Sequence, residues 1–349
     1  MIDYQQIIEE LDDNKVKQLL DHLNIPYEDR GSYILMPTVC HHADTDEASW
    51  KLYYYKNSHI FQCYTEDGPQ TIFTFLKNYY TTRDIVYDWY EDILQVILNC
   101  SNVQSRATNP NQYKSIRDEY ALKKERRELP AYPEGILEVF IKYYPVEWLN
   151  DGITRESMDK FNIRYSVSQN KIIIPHYNQN GELVGIRGRA LNEWEIENIG
   201  KYMPVQIEGK WYSHPLSLNL YGLSLTKDNI KRVGTCFLFE AEKSVLQFEG
   251  FDFANCSVAV CGSQFNKHAL KLLMQVAYPR EIVICFDKEE KKGSEDYFNK
   301  LWSIGKKYQN YCDFSFIYDR ENLLDMKDSP TDKGAEIFWK LYKRRVKIR

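Results

Sequence analysis

Residues 236–240 read CFLFE, and residues 281–287 read EIVICFD. Two similar apolar runs, SVAVC at 257–261 and DFSFIYD at 313–319, complete a set of four strand-like segments that helical stretches separate. Alternation of short buried strands with helices is typical of a largely parallel α/β sheet. The last third of the chain is therefore predicted to be an α/β domain.

The preceding block has a different pattern. It begins with two or three short helical segments and continues with two strand-like segments, KIIIPHY at 171–177 and ELVGIRGRAL at 182–191. Between them lies Asn178-Gln179-Asn180-Gly181, and its Asn-Gly pair favours a β-hairpin turn. The block is predicted to be a mixed α+β subdomain.

The N-terminal region combines helical spacing with short strands. A helical segment at 5–23 precedes the strand-like pieces SYILMP, KLYYYK and HIFQCY, and helical spacing returns at 70–80 and 84–98. The apolar content then falls, ending in the charged run ALKKERRELP, which indicates a linker. The predicted divisions are an N-terminal domain at 1–98, a linker at 99–130, a mixed subdomain at 131–231, and an α/β subdomain with a C-terminal helix at 232–349.

The composition indicates a soluble protein of more than one domain. The 349 residues are 43% hydrophobic and 27% charged, which excludes a wholly disordered chain. No apolar run reaches the roughly 18 residues of a membrane span, and the acidic N-terminus is unlike a signal sequence. The eight scattered cysteines are typical of a reduced cytosol, so we expect a cytoplasmic protein without a membrane partner. A net charge of −5 does not exclude nucleic acid, because local patches determine the field.

An acidic residue follows each of two predicted buried strands. Glu240 ends CFLFE, and Asp287 ends EIVICFD with Glu289 two residues later. Because ligands bind outside the carboxyl ends of parallel strands, we expect these acids at one edge of the sheet. Their oxygens suit Mg²⁺ or Mn²⁺, and Asp325 and Asp328 after the fourth strand add further acids. The alternative is that such acids merely begin turns, which is the better explanation for one strand end but not for two.

The second candidate site is a cluster of thiol and imidazole donors at Cys40, His41, His42 and Cys63. This combination is compatible with a zinc ribbon, because Zn²⁺ takes thiolate and imidazole ligands. No second cysteine follows Cys63, so Asp67 or Glu66 could complete a tetrahedron through oxygen, and His59 is also nearby. The spacing does not separate the two adjacent histidines. Two buried cysteines with solvent-facing histidines are an equally good explanation.

Four basic residues lie on or after the strands of the hairpin: Lys171, Arg187, Arg189 and Lys201. Arg187 and Arg189 are two positions apart, so both face the same side of one strand. Neighbouring guanidinium groups match phosphate oxygens in fork geometry. Solvated surface charge is the alternative, and the same choice applies to the basic tail KLYKRRVKIR.

Taken in order, these segments resemble the DnaG-type bacterial and phage primases over most of the chain. The segment from Cys40 through Cys63 to Gly68, followed by IFTFL, is similar to the zinc-binding domain of that family. GITRESMDKFNIRY, KIIIPHYNQNGELVGIRGR, KYMPV and NLYGL resemble the N-terminal half of its RNA polymerase domain. FLFEAEKSVLQFEGF, AVCGS and VICFDKEEKKG resemble the Toprim fold that carries its metal site.

The resemblance implies synthesis of short RNA primers from ribonucleoside triphosphates on a single-stranded DNA template, with a replicative helicase as a partner. It implies a zinc-ribbon-like template-binding domain, then a polymerase core with a mixed α+β subdomain and a Toprim subdomain. Glu240 would serve the metal site and act as a general base. Asp287 and Glu289 would hold Mg²⁺ or Mn²⁺, with Asp328 nearby. The four basic residues would contact the template or the incoming triphosphate: Lys171, Arg187, Arg189 and Lys201.

The sequence departs from the family pattern at several positions. Asp67 stands where the last zinc cysteine is expected, and Glu289 replaces an aspartate. Ala241 replaces a glycine, Ser244 replaces an acid, and a lysine is absent near Leu216. Two other functions therefore stay open, a Toprim nuclease and a catalytically inactive accessory protein that binds nucleic acid. The short C-terminal region fits a phage or mobile-element primase or a partial chain.

Overall fold

The computed structural model describes residues 3–44, 48–102, 128–289 and 294–348. Helices and strands are mixed along the chain and the strands form several sheets, which confirms the predicted mixed α/β class. The chain divides into two compact units. The first consists of Met1–Glu128 and Gly188–Pro215, and the second of Leu129–Arg187 and Leu216–Arg349. The block predicted at 131–231 therefore contributes to both units.

The helices, in chain order, are α1 (Tyr4–Glu9), α2 (Asp13–His22), α3 (Ile72–Thr82), α4 (Gln95–Cys100), α5 (Val146–Asn150), α6 (Arg155–Lys160), α7 (Glu193–Asn198), α8 (Leu223–Val233), α9 (Glu242–Glu249), α10 (Lys267–Val276), α11 (Ser294–Tyr308) and α12 (Gly334–Lys343). A π-helical segment spans Trp89–Leu94, and 3-10 turns span Glu134–Val139 and Leu216–Leu218.

The strands are β1 (Glu28–Asp29), β2 (Tyr33–Met36), β3 (Leu52–Tyr55), β4 (Ile60–Cys63), β5 (Gly68–Gln70), β6 (Arg164–Ser166), β7 (Lys171–Tyr177), β8 (Leu183–Ala190), β9 (Tyr202–Pro204), β10 (Gln206–Ile207), β11 (Lys210–Trp211), β12 (Thr235–Phe239), β13 (Ser257–Ala259), β14 (Glu281–Cys285), β15 (Asp313–Phe316) and β16 (Val346–Ile348). No helix in the described part of the chain is long and apolar enough to cross a membrane.

The first unit contains an antiparallel sheet in which β1 to β5 follow one another in sequence order. Successive side chains of a strand point to opposite faces, so Ile34, Leu52 and Phe61 are buried on one face of the sheet. Phe61 stacks on Phe75 of α3, with ring centroids 4.3 Å apart. The aromatic packing between sheet and helix forms the core of this unit.

The helical segment predicted at 5–23 is divided into α1 and α2. The Asp12 carboxylate accepts hydrogen bonds from the backbone N–H groups of Asn14 and Lys15, at 2.9 and 3.1 Å, and so caps the start of α2. The residue before it, Leu11, forms an isolated bridge with Ser101. The helical prediction is thus met by two helices with a cap between them. Most of the predicted linker, residues 103–127, lies outside the described residues.

The second unit contains a five-stranded sheet in the order β13-β12-β14-β15-β16. The first four strands are parallel, as predicted, and β16 is antiparallel to β15. The core packs three fully buried rings, Phe237, Phe248 and Phe338, whose centroids lie 5.0 to 5.3 Å apart. Because four strands run in the same direction, their carboxyl ends lie at one edge of the sheet.

A second sheet carries the predicted hairpin, in which β7 and β8 are hydrogen-bonded neighbours. In the turn, the Asn178 side chain accepts hydrogen bonds from the backbone N–H groups of Asn180 and Glu182. Gly181 has a φ of +86°, a left-handed conformation that glycine adopts without strain. The Asn-Gly signal in the sequence thus identified the turn through its local chemistry.

Candidate active site

Glu240 and Asp287 lie at the carboxyl ends of adjacent parallel strands. Phe239, the last residue of β12, is in register with Cys285, the last residue of β14. Glu240 follows Phe239 directly, and Asp287 follows Cys285 by two residues. The strand register therefore delivers both carboxylates to the same edge of the sheet.

The acids at this edge repel one another. Burial, Asp287 and Glu289 together raise the pKa of Glu240 to about 8, and Lys300 opposes the rise. Glu240 Oε1 is shielded from solvent and has no hydrogen-bond partner among the described residues. A buried carboxylate oxygen without a donor is costly unless a cation or a proton neutralises it.

Glu289 lies at the more open side of this cluster. Its Oε1 is 2.8 Å from Nζ of Lys300 on α11, and both side chains are partly exposed. On the same helix, Tyr297 donates a hydrogen bond to the Phe286 carbonyl oxygen at 3.1 Å, which ties α11 to the end of β14. Lys300 is thus a cation already present beside the acids.

Asp328 approaches this edge through its backbone. The Lys288 N–H donates to the Asp328 carbonyl oxygen at 2.8 Å. The Asp328 carboxylate accepts a hydrogen bond from the Asp325 N–H at 2.9 Å and lies 3.2 Å from Nζ of Lys333. Its Oδ2 is therefore engaged locally, unlike Glu240 Oε1.

The acids offer the donors that Mg²⁺ or Mn²⁺ prefers, because all are carboxylate oxygens and one is buried without a donor. They do not form a closed cage. Two groups of described residues bring all their ligand atoms within 4.8 Å of one another, and neither contains Glu240. Mg²⁺ usually keeps several water ligands, so an open set of two or three carboxylates fits such an ion.

Arg187 is part of a buried ion pair. Its guanidinium and His176 Nε2 both contact Glu242 Oε1, the histidine at 3.0 Å. Burial raises the pKa of Glu242, but Arg187 and His176 outweigh it and hold the pKa well below its usual range. Arg187 therefore joins β8 to the start of α9, a role that the spacing of Arg187 and Arg189 did not indicate.

The other basic residues have different surroundings. Lys171 is buried in β7 of the second unit. In the first unit, the Arg189 guanidinium lies 5.9 Å from the ring centroid of Tyr202, and the Lys201 carbonyl accepts a hydrogen bond from the Ala190 N–H at 2.9 Å. A shared role of these residues in phosphate binding stays a prediction.

The first unit holds a compact cluster of four different donors, Cys40, His41, Cys63 and Asp67, whose ligand atoms all lie within 4.8 Å of one another. His41 Nδ1 lies 3.4 Å from Cys40 Sγ, 3.8 Å from Cys63 Sγ and 3.0 Å from Asp67 Oδ2. Two sulfurs, one imidazole nitrogen and one carboxylate oxygen match a tetrahedral Zn²⁺ site. The geometry selects His41 from the adjacent pair and Asp67 from the two acids.

The two thiols of this cluster are hydrogen-bonded to each other. A hydrogen bond from Cys40, together with those from Thr65 and backbone groups, lowers the pKa of Cys63 to about 4. The same contact and burial raise the pKa of Cys40 well above its usual range. A thiolate is the form that binds metal, so Cys63 is prepared for it. Of the remaining candidates, the His42 ring lies 4.6 Å from the His41 ring, centroid to centroid, at a tilt of 53°, and His59 Nδ1 contacts the Tyr54 hydroxyl at 2.8 Å.

The outward face of the β2–β4 sheet carries a cluster of four tyrosines that sequence reasoning did not single out: Tyr33, Tyr53, Tyr55 and Tyr64. Tyr33 pairs with Tyr55 across the strands, and the rings of Tyr53 and Tyr55 are near parallel with centroids 6.1 Å apart. Tyr64 is 59% exposed. The alternation of KLYYYK was the available signal, since it places two of three tyrosines on the face opposite the core.

Two curated relatives are similar to this chain, and no protein-family model matches it. One is the SPbeta prophage-derived uncharacterized protein YorJ of Bacillus subtilis, 32% identical over 97% of this chain and 94% of its own length. The chain belongs to the family of this prophage protein. The other is the DNA primase of Thermotoga maritima, 27% identical over 56% of this chain and 30% of its own length. The predicted resemblance to the DnaG-type primases is thereby confirmed.

Solved structures of primases are also similar to the chain. The zinc-binding and RNA polymerase domains of the Aquifex aeolicus primase match 98% of this chain and 86% of that chain, at 16% identity and a TM-score of 0.45. The catalytic core of the E. coli primase matches 58% of this chain and 72% of that chain, at 14% identity and a TM-score of 0.44.

Proposed function

We propose that the protein is a DNA primase that makes short RNA primers on single-stranded DNA by metal-dependent nucleotidyl transfer. The observation that carries the proposal is the position of Glu240 and Asp287 at adjacent parallel strand ends, with Glu240 Oε1 buried and without a donor among the described residues. Membership of a prophage family and similarity to a bacterial primase support it.

In this proposal the acids have separate roles. Glu240, Asp287 and Glu289 hold Mg²⁺ or Mn²⁺, with Asp328 as a further acid. The bound ions supply the positive charge that stabilises the leaving pyrophosphate. Glu240 is also the proposed general base that accepts the proton of the attacking 3′-hydroxyl.

The first unit is proposed to bind Zn²⁺ and the template. Cys40, His41, Cys63 and Asp67 would hold the zinc and so tie the segment between β2 and β3 to the end of β4 and the turn after it. The tyrosine cluster on the outward sheet face offers π-surfaces on which bases of a single strand stack in a sequence-tolerant way. Stacking on such a face requires unpaired bases, so it favours a single-stranded template.

The basic residues are proposed to contact phosphates of the template or of the incoming ribonucleoside triphosphate. Arg189 and Lys201 are the better candidates, because Arg187 is committed to Glu242 in a buried pair. A replicative helicase and a cytoplasmic location complete the proposal, since primers are needed where the duplex is opened.

One observation favours the alternative of an inactive protein that binds nucleic acid. Ser244, at the position where the family has an acid, donates a hydrogen bond to Ser329 Oγ at 2.8 Å. This serine is buried and supplies no carboxylate, so the metal site has one oxygen ligand fewer.

The test is labelled ribonucleotide incorporation on a mixed-sequence single-stranded DNA, with Mg²⁺ or Mn²⁺ and with EDTA as the blank. A primase yields short, alkali-labile products complementary to the template. Template degradation without added nucleotides would identify a nuclease. Template binding without either product would identify the inactive accessory protein. Asp296→Asn is the control, because it removes the charge of an exposed acid in the first turn of α11 that is not part of the proposed metal site.

A further inference from the structure

Lys288, the residue between Asp287 and Glu289, is buried and fully hydrogen-bonded. Only 8% of its surface is exposed. Its ammonium donates to Asp319 Oδ2 at 3.3 Å, Asn322 Oδ1 at 2.5 Å and the Leu324 carbonyl oxygen at 2.8 Å. An ammonium has three N–H groups, so these three acceptors satisfy it.

The backbone of Lys288 is held by the same loop. Its N–H donates to the Asp328 carbonyl oxygen, and its own carbonyl oxygen accepts from the Lys327 N–H, both at 2.8 Å. Asp319 is fixed in turn, because its Oδ2 also accepts from the Leu324 N–H at 2.8 Å. Main chain and side chain together tie this one residue to the loop from Asp319 to Asp328.

Burial of an ammonium is unfavourable, because the ion loses its hydration. An apolar side chain would fill this position without that cost, so the lysine needs another reason to be here. Its contacts leave the peptide between the two acids little freedom to move. The backbone from which the Asp287 and Glu289 side chains project is therefore fixed, although the Glu289 side chain itself is partly exposed.

We propose that Lys288 is a positioning residue that holds Asp287 and Glu289 in the arrangement that binds divalent cations together with Glu240. The inference rests on the proposed metal site of the polymerase. Lys300 is the natural contrast, because it contacts Glu289 directly from α11 and is partly exposed. Lys288 acts through the backbone and supports cation binding, whereas Lys300 occupies a carboxylate and competes with it.

The test is Mn²⁺ binding to the full-length chain, measured by calorimetry for the wild type and for Lys288→Met and Lys300→Met. The same titration of Asp287→Asn, which lacks a ligand of the site, serves as the reference. The binding heat that is present in the wild type and absent in this variant is assigned to the site. Lys288→Met is expected to weaken Mn²⁺ binding about tenfold, the effect typical of residues that orient metal ligands. Lys300→Met is expected to leave the affinity unchanged or to tighten it. Wild-type affinity in Lys288→Met, or equal losses in both variants, overturns the inference.

A double variant, Lys288→Met with Asp319→Asn, separates positioning from folding. In Lys288→Met the buried Asp319 carboxylate loses its lysine partner, and the second substitution removes that charge. The midpoint of thermal unfolding of the double variant is therefore expected to be higher than that of Lys288→Met. The Mn²⁺ affinity is expected to stay low, and its recovery together with stability would contradict the inference. Absence of any Mn²⁺ isotherm in the wild type would overturn it too. Mn²⁺ binding without primer synthesis would refute only the proposed function.

Discussion

The acid cluster of the second unit and the Cys–His cluster of the first unit differ in how their charge is balanced. In the acid cluster, carboxylates repel one another and Glu240 Oε1 has no donor among the described residues. In the Cys–His cluster, the donors contact one another, since Cys40 hydrogen-bonds Cys63 and His41 Nδ1 lies 3.0 Å from Asp67 Oδ2. Carboxylate repulsion in the acid cluster would be relieved by a bound cation, whereas the donors of the Cys–His cluster already contact one another.

The largest expected effect is on the acid cluster. Asp287→Asn should lower primer synthesis by at least about a thousandfold, some 4 kcal/mol of transition-state stabilisation, because a carboxylate ligand of the metal site is lost. The metal-free protein should become more stable, since repulsion of Glu240 is relieved. Synthesis rates and thermal unfolding in EDTA measure the two effects. A variant that is both inactive and less stable would contradict the described charge balance.

The Cys–His cluster should respond in the opposite way. Cys63→Ser is expected to lower the zinc content of the purified protein from one ion per chain to nearly none. Structural zinc sites bind with about 10–16 kcal/mol in total, so loss of one of four ligands should weaken binding by about a hundredfold or more. Metal analysis measures this, and stability should fall rather than rise.

The control for this variant is Cys100→Ser, which changes another buried cysteine of the same unit outside the cluster. Asp67→Cys is the matched gain of a soft ligand and should tighten zinc binding about tenfold or more, because thiolate suits Zn²⁺ better than carboxylate in structural sites. Equal zinc content in Cys63→Ser and the wild type would contradict the assignment of a zinc site to this cluster.

The charge balance also predicts how stability depends on pH in the metal-free protein. The pKa of Glu240 is about 8 in the folded chain, against 4.5 ordinarily. Between these values the folded state binds more protons than the unfolded state, so the free energy of unfolding falls as pH rises, by up to about 1.4 kcal/mol per pH unit. The contribution is complete below pH 4.5 and lost above pH 8. Denaturant unfolding at several pH values across this range measures the dependence of the unfolding free energy on pH. This dependence should be weaker in Glu240→Gln than in the wild type, and an equal dependence in both proteins would contradict the charge balance.

The smallest expected effect concerns template contacts. Arg189→Ala should weaken binding of single-stranded DNA a few-fold and reduce the slope of log affinity against log salt by roughly one. Arg155→Ala is the control, because this arginine also lies over a tyrosine ring, at 5.4 Å, on α6. Equal salt slopes for Arg189→Ala and the wild type would show that Arg189 makes no phosphate contact with the template.

The elements that the sequence predicted well are those whose cause is local. The apolar strand cores and the Asn-Gly turn depend on residues a few positions apart, and β7, β8, β12, β14 and β15 lie where their patterns indicate. The meeting of Glu240 and Asp287 followed from one general rule about parallel sheets.

The pairings that the sequence did not predict join distant segments. Glu242 contacts Arg187 and His176, which lie 55 and 66 residues earlier, so no local pattern marks them. In the basic tail, Arg345 contacts Glu281 through Nε and Nη2 at 2.8 and 3.0 Å, and the residues after it form β16. Charges that looked solvated in the sequence are in these cases paired, because tertiary register decides which partner each one meets.

The most direct test of the account is primer synthesis by the wild type and by Glu240→Gln on the same single-stranded template. The substitution keeps the shape of the side chain and removes its charge, so the fold and the affinity for DNA should persist. The account predicts short RNA products from the wild type with Mg²⁺ or Mn²⁺ and none from Glu240→Gln. Equal synthesis by both proteins would contradict the assignment of the metal site to the ends of β12 and β14.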